Sequence, residues 1–570
     1  METFGKASPG PASTSANVIP VGRSALRLGA ASLLLVGGFG LSVLAAGPAF
    51  GLGSATSSAS VSTTTNVTTS AAQTVLVLDG HGWGHGLGLS QWGAYGYAKH
   101  GWGYARILAH YYPGTSLGQA NLAAVRVQLV SAKKATLSST VPWSVTDAVG
   151  RRAQLVPGAL VLKGTPALAA APKLQPPYTF AAARPISVDG AAVRGKLVVS
   201  GDGKFVQVID TLGLEQYLKG VVPAEVPSNW PPEVLKAQAV AARSYALANL
   251  AKSRAFDLYG DTRSQVYGGV DVESPATSAA VEATSGQVVL YRGNVADTLF
   301  FSTSGGRTMS ALEATGTAVP YLVAVADPYD TLSPYHDWGP MVMDAAKVAK
   351  ALKLSAPITD VQSSAGPSGH VDSVTVASAD DSQVTLTGNQ MRAALGLRST
   401  WFTPTVLGLS PTAKTMTYGG AVSLTGVAHG ADAVSLEAKT AALPLWSPAG
   451  AITPALDGSF STIVRPQVTT QFRLVWGTVR AGLAKISVAP RVDATVGTTA
   501  LSGTVRPALD AAPVQLQRQS GTVWTTVSST VTDAAGAWSF AGVPQAGTYR
   551  VRCAPGQGLV AGVSSALPVQ

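Results

Sequence analysis

Between Val75 and about Phe402, short stretches alternate apolar and polar residues, as strands with one buried face do, and a few stretches of helical period interrupt them. This mixture predicts an α+β unit with mixed sheets. The clearest helix begins near Ser228. Ser228 can act as its N-cap, Pro231 and Pro232 suit a first turn that needs no amide donor, and Glu233 complements the positive helix end. The helix then runs through VLKAQAVAARSYALANLAK, and its alanines at 237, 239, 241, 242 and 246 let neighbouring backbone approach. It is the expected buried central helix. A shorter helix is expected over Ala345–Leu354. Beyond Thr405 helical periodicity disappears: TYGGAVSLTGVA, LDGSFSTIVRP and TTQFRLVW are echoed in order by TVGTTALSGTV, DAAGAWSFAGVP and AGTYRVRC. A tandem repeat of roughly 80 residues follows, each copy the size of a small all-β, Ig-like sandwich. The expected divisions are 73–405, 406–490 and 491–570.

The first 72 residues read differently. Arg23 and Arg27 precede an apolar run from about Leu28 to Ala46, which is either a signal peptide or a single membrane anchor, being just long enough to span a bilayer. Both place the remainder outside the cytoplasm, secreted or held near the outer face of the membrane. Residues 51–72 are almost wholly small and hydroxylated, too poor in apolar side chains to offset ordering entropy, and are expected to be a flexible tether.

Charge narrows the partners. Lys and Arg exceed Asp and Glu by 10, and the basic residues are scattered, which argues against a nucleic-acid groove and for an anionic wall or membrane surface. Cys553 is the single cysteine, so an intramolecular disulfide and a cysteine-based zinc site are both excluded.

Three stretches could carry chemistry. The first, HGWGHGLGLSQWG over 81–93, sets His81, Trp83, His85, Ser90 and Gln91 among glycines. Glycine at that density lets backbone approach a ligand, and indole and imidazole suit sugar faces and hydroxyls; the plain alternative is a tight turn with Trp83 and Trp92 in a core. His81 and His85 have the i, i+4 spacing of a metal pair on a helix, but the intervening glycines speak against a helix. The second is LEQYLKGVVPAEVPSNW over 214–230, where Glu225 stands between Pro223 and Pro227 among Val221, Val222 and Val226. A carboxylic acid in apolar company has its ionised form disfavoured, as a general acid for a glycosidic oxygen requires; a structural role is the alternative. Glu215 is expected on the solvated side of a short helix. The third comprises SQVYGG over 264–269 and FFSTSGGR over 300–307, polar loops that could hold sugar hydroxyls or N-acetyl groups through Gln265, Ser302, Ser304 and backbone amides, or be ordinary turns.

Four blocks together resemble the family of stage II sporulation protein D (SpoIID) and the amidase enhancer LytB: YLKGVVPAEVPSNWPPEVLKAQAVAARSYAL (217–247), SQVYGG with TSGQVVLYRG (264–293), FFSTSGGRT (300–308) and GHGWGHGLGLSQWGAYGYAKHGWGYARILAHYYPGTSL (80–117). The resemblance implies a lytic transglycosylase of peptidoglycan in which the glutamate of the VVPAE block, here Glu225, is the catalytic acid. Within the matching blocks Arg243, Tyr245, Tyr267 and Gly305 join the expected substrate-binding set. It also implies an alternative, a wall-binding protein that enhances an N-acetylmuramoyl-L-alanine amidase without cutting glycan. Two departures stand out. The GWGHG block precedes the VVPAE block, a permuted order, and Ser302 stands where zinc-binding relatives often carry a histidine, with no cysteine nearby. No metal and no cofactor are therefore expected.

Overall fold

The computed structural model describes residues 68–69, 74–121, 124–251, 254–542 and 544–570. The apolar run at 28–46 lies outside them, as does the hydroxylated stretch 51–72 apart from Thr68 and Thr69, which pair in parallel with Val479 and Arg480. Among the described residues, no helix is long and apolar enough to cross a membrane.

Strand Thr74–His81 is buried on both faces: Val75, Leu76, Val77 and Leu78 are all 0% exposed. Its period of two sends Val75 and Val77 into a core with Leu407, Leu424, Leu474 and Ile486, and Leu76 and Leu78 into another with Val348, Val374, Met391 and Phe402. The strand lies between Asp337–Asp344 and Trp401–Pro411 in an antiparallel sheet that continues through Val422–His429 to Ser459–Val464. The expected division at 405/406 thus falls inside strand Trp401–Pro411, and the first C-terminal copy shares a sheet and a core with the strand at residue 74. The continuous apolar run Val75–Leu78 is consistent with burial on both faces, but does not reveal that two different layers supply the cover.

Four helices frame the site: α1 (Gln91–Lys99), α2 (Tyr104–Tyr111), α3 (Leu214–Glu225) and α4 (Pro232–Ala248). Helices α3 and α4 pack on a seven-stranded mixed sheet, in which Leu258–Tyr259 runs parallel to Ala124–Ala132 and the other pairings are antiparallel. Helix α4 is the buried central helix. Leu235, Ala239 and Ala242 face the sheet core, while Val234, Ala237 and Val240 face a second core with Ile107, Tyr111 and Tyr112. Its start differs from the sequence expectation: Pro231, not Ser228, is the N-cap, because the residue before Pro232 is held in extended geometry (ψ 141°) and stops the helix there. The shorter helix spans Ala345–Ala351, within the expected range.

Arg243 contradicts its expected role. It is 0% exposed, its guanidinium gripped by Glu215 at 2.7 and 2.8 Å and by the carbonyls of Val281 and Gln287 at 3.2 and 3.1 Å. Glu215 is therefore not a solvated helix residue but the counter-charge that ties α3 to α4. Spacing could not show this, since the partners lie 28 positions apart.

The C-terminal region is strand-rich throughout. In the second copy, strands Arg491–Val496, Ala500–Arg506 and Ala537–Ala541 stack on Pro513–Ser520, Val523–Val531 and Gly547–Cys553 over a core of Leu501, Val514, Leu516, Trp538, Val551 and Cys553. Two sheets face to face make a β-sandwich.

Glu215→Ala leaves a buried guanidinium without its carboxylate, and we expect a loss of about 3–5 kcal/mol in unfolding free energy, measured by urea titration.

Candidate functional site

Between strand Thr74–His81 and the short pair Leu89–Ser90 that leads into α1, the glycine-dense residues 82–88 form a winding loop, not a helix. Gly84 has φ 130°, and a Cβ there would lie 2.6 Å from that of Phe301; Gly88 has φ 73°, and a Cβ there would lie 2.1 Å from the Leu299 carbonyl oxygen. Only glycine lets this loop lie flat on the 299–303 segment. Backbone bonds join the two: the amides of Trp83 and Thr303 donate to each other's carbonyls at 2.7 and 3.0 Å, and Leu89–Ser90 pairs in parallel with Phe300–Phe301.

Two buried carboxylates pin this assembly. Asp327 accepts the hydroxyls of Tyr111 at 2.9 Å and Ser304 at 2.8 Å, while Asp330 accepts the Ser90 hydroxyl, the amides of Ser304 and Gly305, and Nδ1 of His336. Both are 0% exposed. Burial pushes Asp327 up to about 7, with the neighbouring Asp330 adding to the rise. One cluster thus fastens the start of α1, the end of α2 and the Ser-Gly-Gly turn together.

Glu225 is the last residue of α3 and sits half-buried in a small, partly open depression lined by His85, Tyr245, Thr262, Ser264, Val266, Leu299 and Phe300. Burial raises its pKa to about 7, opposed by hydrogen bonds from the Val266 amide at 3.2 Å and from the Gln91 side chain. The negative end of α3 acts in the same direction as burial, because it disfavours the carboxylate. Glu225 thus holds its proton about as often as not at neutral pH.

His85 faces this depression with its ring chemistry already spent. The Leu87 amide donates to Nδ1 at 3.1 Å, so Nε2 carries the hydrogen and donates to the Phe300 carbonyl at 3.0 Å. Burial, with the Arg392 charge adding, lowers its pKa to about 4, so the ring is neutral and in one tautomer near pH 7. It borders the site as a fixed apolar wall and not, as expected, as a hydrogen-bond donor to sugar.

Of the residues expected to bind substrate, the structure gathers His85, Gln91 and Tyr245 with Glu225. It gives the others different surroundings. Ser90 caps α1 and bonds Asp330; Ser304 and Gly305 are consumed by the Asp327 and Asp330 cluster. Gln265 is buried, accepting from the Tyr217 hydroxyl and donating to the Ala242 carbonyl, and Tyr267 donates to Asp210. These three segments carry polar side chains because buried polar groups need partners, a demand that looks the same in sequence as ligand binding. Ser302, whose carbonyl accepts the Trp92 amide, does not line the depression; nor do His81, bonded to Asp337 at 2.6 Å, and Trp83, edge-on to Tyr335 at 4.4 Å.

Thr262, Val266, Leu299 and Phe300 were not expected. Val266 and Phe300 stand in quoted blocks, but nothing local distinguishes a wall residue from a core one. Trp92, Tyr95 and Trp230 were also not expected together: they form a half-buried aromatic cluster with centroids 4.9–5.5 Å apart, Trp92 directly following the residue that bonds Glu225.

A family model described as stage II sporulation protein matches residues 202–291, which include Glu225. An uncharacterized protein of Brachyspira hyodysenteriae is 39% identical over 142 residues, 24% of this chain and 39% of that one. The amidase enhancer of Bacillus subtilis is 37% identical over 140 residues, 25% of this chain and 19% of that protein. These matches span well under half of those two relatives. Stage II sporulation protein D of Bacillus subtilis is 31% identical over 252 residues, 41% of this chain and 72% of that protein.

Two measurements check the electrostatics. Gln91→Leu removes a bond that favours the carboxylate, so the Glu225 titration followed by carbon NMR should move upward. Because the Glu225 pKa is raised on folding, the native state binds the extra proton between the unfolded value near 4.5 and about 7, and stability falls with pH across that window. Glu225→Gln should therefore raise Tm relative to the parent at pH 8 and much less at pH 4.

Proposed function

The chain belongs to the stage II sporulation protein D family, and on that premise we propose that it cleaves peptidoglycan glycan strands between N-acetylmuramic acid and N-acetylglucosamine as a lytic transglycosylase, with Glu225 as its single acid and base. The observation that carries the reading is the environment of Glu225: a half-buried carboxyl at the mouth of a depression, with a pKa near 7. In its protonated form Glu225 gives its proton to the bridging glycosidic oxygen as the bond to C1 breaks. As a carboxylate it then takes the proton of the muramoyl 6-hydroxyl while O6 bonds to C1, closing a 1,6-anhydro ring and restoring the acid. The nucleophile belongs to the substrate. A second carboxylate, which water-using glycosidases need at about 5–10 Å from the first, has no task here.

The Val266 amide and Gln91 steady the carboxylate formed midway, and neutral His85 adds no charge that would compete for the proton. His81, Trp83 and Ser302 remain candidates for contacts to more distant sugars of the strand. The apolar run at 28–46 supports export to the wall, free or anchored at the outer membrane face.

The likeness to an amidase enhancer supports a second reading, in which the same depression binds glycan and a separate amidase does the cutting. Product analysis separates them. Glycan strands with and without stem peptides should yield 1,6-anhydromuramoyl ends, and Glu225→Gln should lower the rate by about 10²–10⁴-fold. Absence of such ends, or their persistence in the variant, would falsify catalysis by Glu225. The rate should also fall about tenfold per pH unit above 7, as Glu225 loses the proton it must donate, with no second inflection from His85 between pH 5 and 7.

A further inference from the structure

Residues 406–570 hold eleven Lys and Arg against six Asp and Glu, a net charge of +5 on a region without the candidate site. The two copies share one surface device. In the first, Arg473 on strand Thr470–Trp476 donates to Glu437 on Val434–Thr440 at 2.8 Å and lies 4.1 Å over Trp446, just before Ser447–Ile452. In the second, Arg550 on Gly547–Cys553 donates to Gln517 on Pro513–Ser520 at 2.8 Å and lies 4.3 Å over Trp524 on Val523–Val531. Middle strand, arginine strand and tryptophan strand correspond one to one, with Glu437 facing Arg473 and Gln517 facing Arg550 in the ladders.

The copies differ where the charge is settled. Arg473 is neutralised by Glu437, which also has Arg480 within 4.0 Å. Arg550 has an amide in that place, and the neighbouring Arg552 rests on another, Gln515, at 3.1 Å. Among the described residues no carboxylate lies within ion-pair reach of Arg550 or Arg552. The amides aim two guanidiniums without cancelling them, beside a half-buried indole and the exposed hydroxyl of Thr526. Forked donors suit a carboxylate, and an indole face with amide and hydroxyl neighbours suits a sugar ring.

We propose that this sheet face of the second sandwich binds the carboxylates of peptidoglycan, holding the protein on its polymer while Glu225 works elsewhere on it. The choice of polymer rests on the function proposed above; the binding itself does not. In the first copy Glu437 occupies Arg473, the guanidinium over Trp446, and leaves only the Lys439 ammonium, a point charge without a fork, 4.8 Å over that ring, so this mode of binding is expected of the second copy.

The test uses the full chain carrying Glu225→Gln, so that binding is read without cleavage, sedimented with insoluble peptidoglycan whose phosphate polymers have been stripped by acid. We expect binding that weakens with salt, weakens at least tenfold in Arg550→Gln/Arg552→Gln and in Trp524→Ala, and is unchanged in Arg473→Gln, with circular dichroism and Tm of the variants matching the parent. Amidating the carboxylates of the peptidoglycan should abolish it. Loss of binding on removal of the phosphate polymers, unchanged binding in the double variant, or an equal loss in Arg473→Gln overturns the proposal. Product formation from short soluble strands is assayed in parallel on the Glu225 chain: its absence alone sinks the catalytic reading, and its presence without sedimentation sinks only the surface.

Discussion

Two carboxylates away from water, Asp327 and Asp330, hold the rest of this site in place. Removing a carboxylate from water is costly unless hydrogen bonds replace the lost hydration. Here the replacements come from the start of α1, the end of α2, the Ser-Gly-Gly turn and His336, so satisfying two acids positions four segments at once. The glycine-dense loop owes its course to the same pins. Gly93 passes so close to Asp327 that a Cβ there would stand 2.1 Å from its carboxylate. With Ser90 anchored, Gln91 is carried to Glu225, and His85 to the wall beside it.

This arrangement makes the permuted order of the blocks irrelevant to the chemistry. The loop at 81–93 precedes α3 by more than a hundred residues, yet its Gln91 bonds the acid at the end of α3. Glu225 also depends on α4, because the Arg243 and Glu215 pair fixes α3 against it and so sets where α3 ends. A side chain buried for stability and one buried for reactivity are held by the same packing. They differ in outcome: Arg243 has a full set of partners, whereas Glu225 has two donors, a helix end that disfavours its charge, and an opening to solvent.

The C-terminal copies show how one substitution within a repeated design redirects its electrostatics. Glu437 closes the charge of Arg473, and Gln517 at the matching position leaves that of Arg550 open. The first copy is also mechanically joined to the N-terminal unit, since strand Thr74–His81 contributes to both cores. The second has its own core around Trp538 and Leu516.

The sequence by itself determined what depends on local period and composition: the central helix, the α+β unit followed by strand-rich copies, and the family through its quoted blocks. It also singled out Glu225, through its apolar neighbours Val221, Val222 and Val226 and the VVPAE block, although the walls that bury it, His85, Tyr245, Val266, Leu299 and Phe300, come from distant segments. It did not distinguish Ser90, Arg243, Gln265, Tyr267, Ser304 and Gly305 from residues that could touch substrate. Their partners, Asp330, Glu215, Tyr217, Asp210 and Asp327, lie 25 or more positions away in most cases, and only the fold brings them within hydrogen-bond reach. The tertiary structure likewise decided that strand Trp401–Pro411 crosses the expected domain boundary and that α4 starts at Pro232. Which polar groups remain for a ligand is settled only after burial has claimed its share, and burial is a property of the whole chain.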